Sequence, residues 1–491
     1  LLPRHSSTST GIVSLAVAPG NPNLGVMLPY TPLHHLLLSL LGFPIVATSG
    51  NLTDEPICID EHEALQRLNG VADLFLVHNR PIVRHVDDSI VRVVAGREMV
   101  LRRARGYAPL PIELQIKECN PAPSKAAQAS ADPEAKTMLA VGAHLKNTVG
   151  LGLGRNVFIS QHIGDLETVK AYDAFERVAG DLQQLFDAPA ALLVADSHPD
   201  YLSTKFARSA GVPFMAVQHH VAHVLSCMAE NHVQPPVLGV AWDGTGYGLD
   251  GTVWGGEFFH IHEKGFERVA HFRQFRLPGG EQAVREARRS AAGMLFDTLG
   301  AAAFEQSEQP SIGAFSAAEL SALSTMLARG INSPLTSSAG RIFDAVASLT
   351  GLRQTSRFEG QAAMELEFIL EPKPNEDAYE LLIVDEADPA IVDWRPMIKE
   401  LLADHQAGVS RAKMSLKFHN GLVESILNIA KGAGLERVVL SGGCFQNRYL
   451  TEASVRRLTK AGFRPYWHQR VPPNDGGICL GQVVAARWWS V

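Results

Sequence analysis

Apolar positions along the chain fall into two kinds of run, short clusters that end in polar corners and longer stretches with helical spacing. In the opening part, Leu24 to Leu28, Ile45 to Thr48, Leu74 to His78 and Ser89 to Val94 predict short strands. Leu33 to Leu41 and Glu61 to Leu68 predict helices. Asn120 to Lys136 is rich in Pro, Ala and Ser without a hydrophobic period, which predicts an interdomain linker. The expected division is therefore a first unit over 1–117, a linker over 118–136 and a larger unit over 137–491.

The larger unit repeats one plan. Leu139 to Thr148 is an apolar run entering a polar turn, with a second run to Gly154, and Leu238 to Gly246 followed by runs through Ile261 has the same form. Ala191 to Asp196, a helix containing Tyr201 and Leu202, the run Pro213 to Val217 and a corner at His219 are matched in order further on. The counterparts are Arg437 to Ser441, a helix containing Tyr449 and Leu450, Phe463 to Trp467 and a corner at Asp475. A β-hairpin followed by βαβα, used twice, predicts an α/β fold of two lobes facing across a cleft, the plan of the actin-like and sugar-kinase ATPases. Lobe one would span about 137–235 and lobe two about 236–491, with a helical insertion at about 280–380. Within that insertion Glu281 to Leu299, Ala317 to Arg329 and Ser338 to Leu349 predict helices, and Phe358 to Ala363 opens another.

The repeat places the chemistry. Gly211 to Val217 predicts a strand and Val221 to Asn231 a helix, so His219 and His223, four apart, stack on one face where a strand meets a helix. Two imidazoles do not complete a coordination sphere. Asp243 on the inner wall and Asp475 at the equivalent corner supply carboxylates, a mixed N/O set suited to Fe(II), Mn(II) or Zn(II). Gly442 and Gly443 before a helix, with Asn447 one turn in, offer backbone N–H groups to a phosphate or ribose. Gly244, Gly246 and Gly248 would let a second turn approach phosphates closely, and Lys146 beside Asn147 is a candidate phosphate cation. In the first unit, Thr48, Ser49 and Asn51 end an apolar run. Arg84, Asp88 and Ser89 precede another, and Arg102, Arg103 and Arg105 put three guanidiniums together, which suits an anionic ligand.

Composition narrows the classes. The 491 residues are 46% hydrophobic and 19% charged, an ordinary globular balance with room for several cores. With 44 basic against 51 acidic residues the net charge is −7, so no global basic field for nucleic acid exists. The five cysteines are scattered without a CxxC pair, against a thiolate zinc site and in keeping with a reducing cytoplasm. No apolar stretch is long enough to span a bilayer. The chain opens Leu1-Leu2-Pro3 without methionine, which reads as a fragment of a longer protein.

Several of these stretches together resemble the carbamoyltransferases of nickel–iron hydrogenase maturation, the HypF family. The resemblance is carried by Gly25 to His34, Thr48 to Asn51, Asp87-Asp88-Ser89, Arg102 to Tyr107, Leu145 to Thr148, His219-His220-Val221-Ala222-His223, Trp242 to Gly248, Phe358 to Ala363, Ser441 to Asn447 and Pro472 to Asp475. It implies a YrdC-like first unit that forms carbamoyl-adenylate from ATP and carbamoyl phosphate, holding nucleotide through Thr48, Ser49, Asn51, Arg84, Asp88, Ser89, Arg102 and Arg105. It implies a Kae1-like second unit with one divalent metal on His219, His223, Asp243 and Asp475, with Mg accompanying the nucleotide. Lys146, Asp243, His219 and His223 would be catalytic there, and Lys146, Asn147, Gly244, Gly246, Gly442, Gly443 and Asn447 would hold the nucleotide. The implied acceptor is the C-terminal cysteine of the partner HypE, with no nucleic acid or membrane involved.

Family members normally begin with an acylphosphatase-like domain and CxxC zinc motifs, which lead into the first half of the YrdC-like domain with its Lys/Arg-rich nucleotide loop; none of these is found in this sequence, so the adenylation site is expected to be incomplete. Where the family tends to show Glu-Pro-Trp-Arg, this chain has Glu286-Ala287-Arg288-Arg289. Related enzymes that modify tRNA with threonylcarbamoyl groups, or that carbamoylate small-molecule hydroxyls, use the same two domain types. A non-catalytic nucleotide-binding scaffold is the reading from a different class. A metallopeptidase is disfavoured because no HExxH glutamate follows His219.

Overall fold

The computed structural model describes residues 1–4, 13–53, 55–115, 136–370 and 377–489. The expected linker 118–136 lies outside these residues except for Lys136.

The twofold plan is realised strand for strand. In the first lobe the sheet order is Phe214–Val217, Leu192–Asp196, Met138–Ala140, Gly150–Leu153, Asn156–Ile159. In the second it is Arg464–Trp467, Arg437–Ser441, Val237–Tyr247, Val253–His262, Gly265–Phe272. In both, the first three strands are parallel and the last three form an antiparallel meander. The parallel strands Leu192–Asp196 and Arg437–Ser441 are almost wholly buried, as strands covered on both faces must be. Each lobe ends in a corner helix, His219–Glu230 and Ile478–Trp489, and these two pack directly on one another. Gly481 makes the crossing possible, since a Cβ there would fall 1.8 Å from the Ala222 carbonyl oxygen. The pseudo-twofold therefore runs between the two polar corners and brings them together.

The expected turn at 243–246 is instead a bulge inside one long strand, Val237–Tyr247, whose register against Val253–His262 shifts between Trp242 and Gly246. A bulge re-aims a side chain without ending the strand, and here it turns Asp243 toward the corner helix. The insertion holds helices at Ala317–Arg329 and Ala339–Leu349 as expected. The predicted single helix 281–299 is broken into Gln282–Arg285 and Ala287–Leu299, because the Glu286 carboxylate folds back on Arg288 and Arg289 at 2.8 and 3.1 Å.

The first unit matches expectation in its helices, Pro32–Leu41 and Glu61–Arg67, and in the hairpin Ile90–Val94 with Arg97–Arg102. The strands expected at 45–48 and 74–78 are not formed, and that at 24–28 shrinks to Asn23–Leu24 paired with Leu2–Pro3. A strand exists only where a neighbour satisfies its N–H and C=O groups, and the described residues offer those two runs none. Neither helix buries a residue, and Leu40, Leu74 and Leu76 stand exposed. The hairpin is the exception. Val94 and Met99 enter the second lobe's core, and Val100 N donates to the Gln469 carbonyl at 2.8 Å. Pro111–Glu113, assigned to the first unit, pairs with Asn156–Ile159 and extends the first lobe's sheet, so the structural boundary precedes residue 111.

Candidate metal and nucleotide site between the lobes

His219 and His223 lie in the first half of the corner helix, whose N-cap Gln218 accepts the Val221 N–H at 2.9 Å. Starting the helix at His219, two residues earlier than the apolar pattern predicts, stacks both imidazoles toward Asp243 and Asp475. His223 Nε2 lies 3.1 Å from Asp243 Oδ2 and 3.5 Å from Asp475 Oδ1, and His219 Nε2 lies 3.5 and 3.7 Å from the same two atoms. All four side chains are buried. Atoms sharing one cation at roughly 2.0–2.2 Å sit about 3–3.6 Å apart, and these spacings match. His219 Nε2 has no hydrogen-bond partner, while its Nδ1 is held by Asp196 Oδ2 at 2.7 Å. An outer carboxylate that fixes the tautomer and leaves an orphaned, inward nitrogen is how metal-binding histidines are supported. The residues fit a divalent cation.

The electrostatics agree. Burial opposes charge on His219, yet Asp196 and Asp475 raise its pKa well above the ordinary histidine value, and Asp243 and Asp475 raise that of His223. Burial lifts the Asp475 carboxyl, whereas the two imidazoles facing Asp243 outweigh burial there and lower it. The carboxylates thus favour protonated imidazoles, and a divalent cation binding at these donors would displace those protons.

His220, between the two, takes no part. Burial keeps it neutral, and it fills the space that Gly246 leaves, where a Cβ would be 2.4 Å from His220 Cε1. Gly246 thus serves histidine packing, and Gly248 likewise accommodates Trp254, so of these three glycines Gly244 alone meets cleft residues, Arg341 and Glu359. Asp243 Oδ1 accepts the N–H groups of Gly244 and Gly443 at 2.8 and 3.2 Å, pinning both Gly-rich turns to the His/Asp cluster. Gly442, at φ 97°, approaches the Trp242 backbone so closely that a Cβ would lie 2.2 Å from its carbonyl oxygen. Asn447 caps the Arg448–Lys460 helix through Leu450 N and donates to His419 Nε2 at 2.9 Å. Asn147 Nδ2 donates to the Val141 and Ala143 carbonyls. Both asparagines thus shape turns with their amides. Lys146, in the left-handed region at φ 46°, reaches across the cleft to Glu359.

A second buried group, Cys227, Glu230 and His468, also clusters within 4.8 Å. Its donors are already used: Glu230 accepts the N–H groups of Gln469, Arg470 and Val471, and His468 joins Glu230 at 2.6 Å to Ser441 Oγ at 2.7 Å. Ser441 Oγ also donates to the His223 carbonyl at 2.8 Å, so this series of contacts braces the His219–Glu230 helix from behind. Arg341 and His468 were not named from the sequence, and Asp196 and Glu359 appeared there only inside longer stretches without a role, since only the fold brings each to the site.

In the first unit, Asp88, Ser89 and Arg105 line a cleft of ≈ 360 Å³ with Met27, Tyr30 and Gly106. Arg105 Nε binds Asp88 Oδ1 at 3.2 Å, Arg102 Nε donates to the Asp88 carbonyl, and Arg105 lies over the Tyr30 ring. The Arg-rich and Asp-Asp-Ser stretches are thus neighbours. Arg84 instead turns to Asp181 of the first lobe at 3.6 Å, and Arg103 is buried on the Ile159 and Leu110 carbonyls. Asn51 donates to Leu52 and Glu55 within its own loop, so Thr48, Ser49 and Asn51 do not line this cleft.

Paired lobes with metal donors at their facing corners, joined to a unit carrying an arginine-lined cleft, define a Kae1-like domain linked to a YrdC-like one. The family described as telomere recombination (Sua5, YciO, YrdC) matches residues 1–104, the HypF Kae1-like domain matches 133–230, and the second subdomain of the carbamoyltransferase Kae1-like domain matches 239–482. The chain is 45% identical over 485 residues to the carbamoyltransferase HypF of Synechocystis, covering 96% of this chain and 60% of that protein. It is 35% identical to a HypF homolog of Cupriavidus necator, covering 71% of this chain and 91% of the relative. A crystal structure of full-length HypF in a phosphate- and nucleotide-bound form aligns with TM-score 0.87 at 42% identity, over 96% of this chain and 71% of that one. The HypF of T. kodakarensis aligns with TM-score 0.85 at 31% identity, over 97% and 61%. The chain belongs to the HypF family. It spans about 60% of the length of the Synechocystis relative.

Proposed function

We propose that the protein is an ATP-dependent carbamoyltransferase. Its first unit handles carbamoyl-adenylate made from carbamoyl phosphate and ATP, and its two-lobed unit passes the carbamoyl group to the C-terminal cysteine of HypE. The observation that carries this reading is the buried His219, His223, Asp243, Asp475 set beside both Gly-rich turns, in a chain of this family. In the transfer the acceptor sulfur bonds to the carbamoyl carbon, the bond from that carbon to the phosphate oxygen breaks, AMP leaves, and the thiol proton goes to solvent. When bound, a divalent cation there would supply Lewis-acid stabilisation of phosphate and carbonyl oxygens. The protein's own residues do the rest. Asp196 orients His219, Asp243 ties the two glycine turns to the donor set, and Lys146 places a positive charge on the cleft wall. An acceptor from outside accords with the chain's own thiols: burial raises Cys227 and Cys444 well above the usual thiol range and Cys479 to about 11. None of these three is an activated nucleophile.

The test supplies carbamoyl-adenylate and a HypE C-terminal peptide to this chain and follows the peptide's mass, with the uncatalysed background subtracted. The expected result is a carbamoyl adduct on the cysteine that Asp475→Ala abolishes. Equal transfer by both proteins would remove the two-lobed unit as the transferase.

A further inference from the structure

One buried cation beside Gly244 is paired with a carboxylate yet keeps two nitrogens without a hydrogen bond. Arg341, in the first turn of the Ala339–Leu349 helix, is 4% exposed, and its Nε and Nη1 have no hydrogen-bond partner. Its Nη2 approaches Asp344 Oδ2 at 3.1 Å, but that oxygen too is without a hydrogen bond, so the pair is close in charge and unspent in geometry. Buried donors are almost always satisfied in folded proteins, so an arginine left with two idle nitrogens marks a contact that another molecule completes. A guanidinium is shaped for the paired oxygens of a phosphate or carboxylate.

The surroundings say where that molecule sits. The cap of the Arg341 helix, Ser338, donates to the carbonyls of Asp243 and Gly244 at 3.0 and 2.7 Å, and Gly340 packs directly on Gly244. Arg341 is therefore fixed to the segment that carries a metal ligand. A Cβ built on Gly244 would lie 3.7 Å from Arg341 Nη2 and 3.9 Å from Glu359 Oε1, and Glu359 holds Lys146 of the opposite lobe. The space in front of Gly244 is bordered by a fixed guanidinium, by a carboxylate, and by the ammonium which that carboxylate occupies.

We propose that the space before Gly244 is the seat of the nucleotide's phosphoryl group, with Arg341 its fixed cation and Lys146, released from Glu359, its second. This rests on the nucleotide reading of the cleft and adds the residue that grips the phosphate. The seat discriminates a nucleotide from its nucleoside, since adenosine presents no anion to it.

Binding of AMP and of adenosine to the metal-loaded chain, measured by calorimetry in an Arg105→Ala background that weakens the first unit's cleft, tests this. The parent is expected to prefer AMP at least tenfold, and Arg341→Gln to lose that preference while adenosine affinity and metal content stay unchanged. Gly244→Ala is the second variant. Its methyl meets Arg341 and Glu359 only at ordinary contact distances, so it folds, yet it fills the seat and is expected to lose the AMP preference as well. Absence of any binding by the parent would overturn the nucleotide cleft itself. Adenosine bound as tightly as AMP would overturn the seat alone, and a preference surviving in both variants would overturn Arg341's role while leaving the cleft in place.

Discussion

At the scale of single residues, the site depends on partners that spacing along the chain does not reveal. The histidine pair and both aspartates were legible because a four-residue interval and an internal repeat place them together. Asp196 was not, since its role exists only through the 2.7 Å contact with His219 Nδ1. Asp196→Asn keeps the shape and the acceptor toward His198 N but removes the charge that sets the His219 tautomer. Metal affinity is expected to fall roughly 10- to 100-fold, read by titration with a competing chelator; an unchanged affinity would show that His219 needs no such support. The glycines teach the converse lesson. Gly244 and Gly246 look equivalent in sequence, yet one faces Arg341 of its own lobe and the other makes room for His220, on either side of the register shift.

At the scale of elements, the meander-then-βαβα order was readable twice over, because period and polar corners survive even where side chains diverge. The strands expected at 45–48 and 74–78 failed for a physical reason, whereas that at 89–94 formed: an apolar run reports a tendency to be buried, not that a neighbouring strand is there to pair with. The crossing of the corner helices at Gly481 and Ala222 was likewise invisible, since helix approach is a property of two surfaces. Gly481→Ala puts a methyl against a backbone oxygen that cannot move without moving the histidine helix. A loss of about 1–3 kcal/mol or more is expected, together with loss of stoichiometric metal. Thermal unfolding and metal analysis of the same sample check it, and a variant with full metal and parental Tm would mean the helices slide freely.

For the whole molecule, acid stability follows from buried histidines. His419 lies in the second lobe's core, donates from Nδ1 to the Ser415 carbonyl and accepts from Asn447 at Nε2, and burial pulls its pKa down to about 4. An unfolded histidine takes a proton near 6.5, so between about 6.5 and 4 the unfolded chain binds more protons than the folded one. The contribution is complete above about 6.5 and is lost as pH falls through that window, on the order of 3 kcal/mol in all. Scans of Tm from pH 7 to 4.5 should fall less steeply for His419→Gln than for the parent; parallel curves would place the acid sensitivity elsewhere. The same architecture bears on motion. The metal donors sit beside the point where the two corner helices cross, whereas Lys146 and Glu359 bridge the lobes at the cleft wall. A body that turns about an axis moves least near the axis and most at its rim. A rotation of the lobes about the helix crossing would therefore widen the cleft at Lys146 and Glu359 while displacing the His219, His223, Asp243 and Asp475 cluster least.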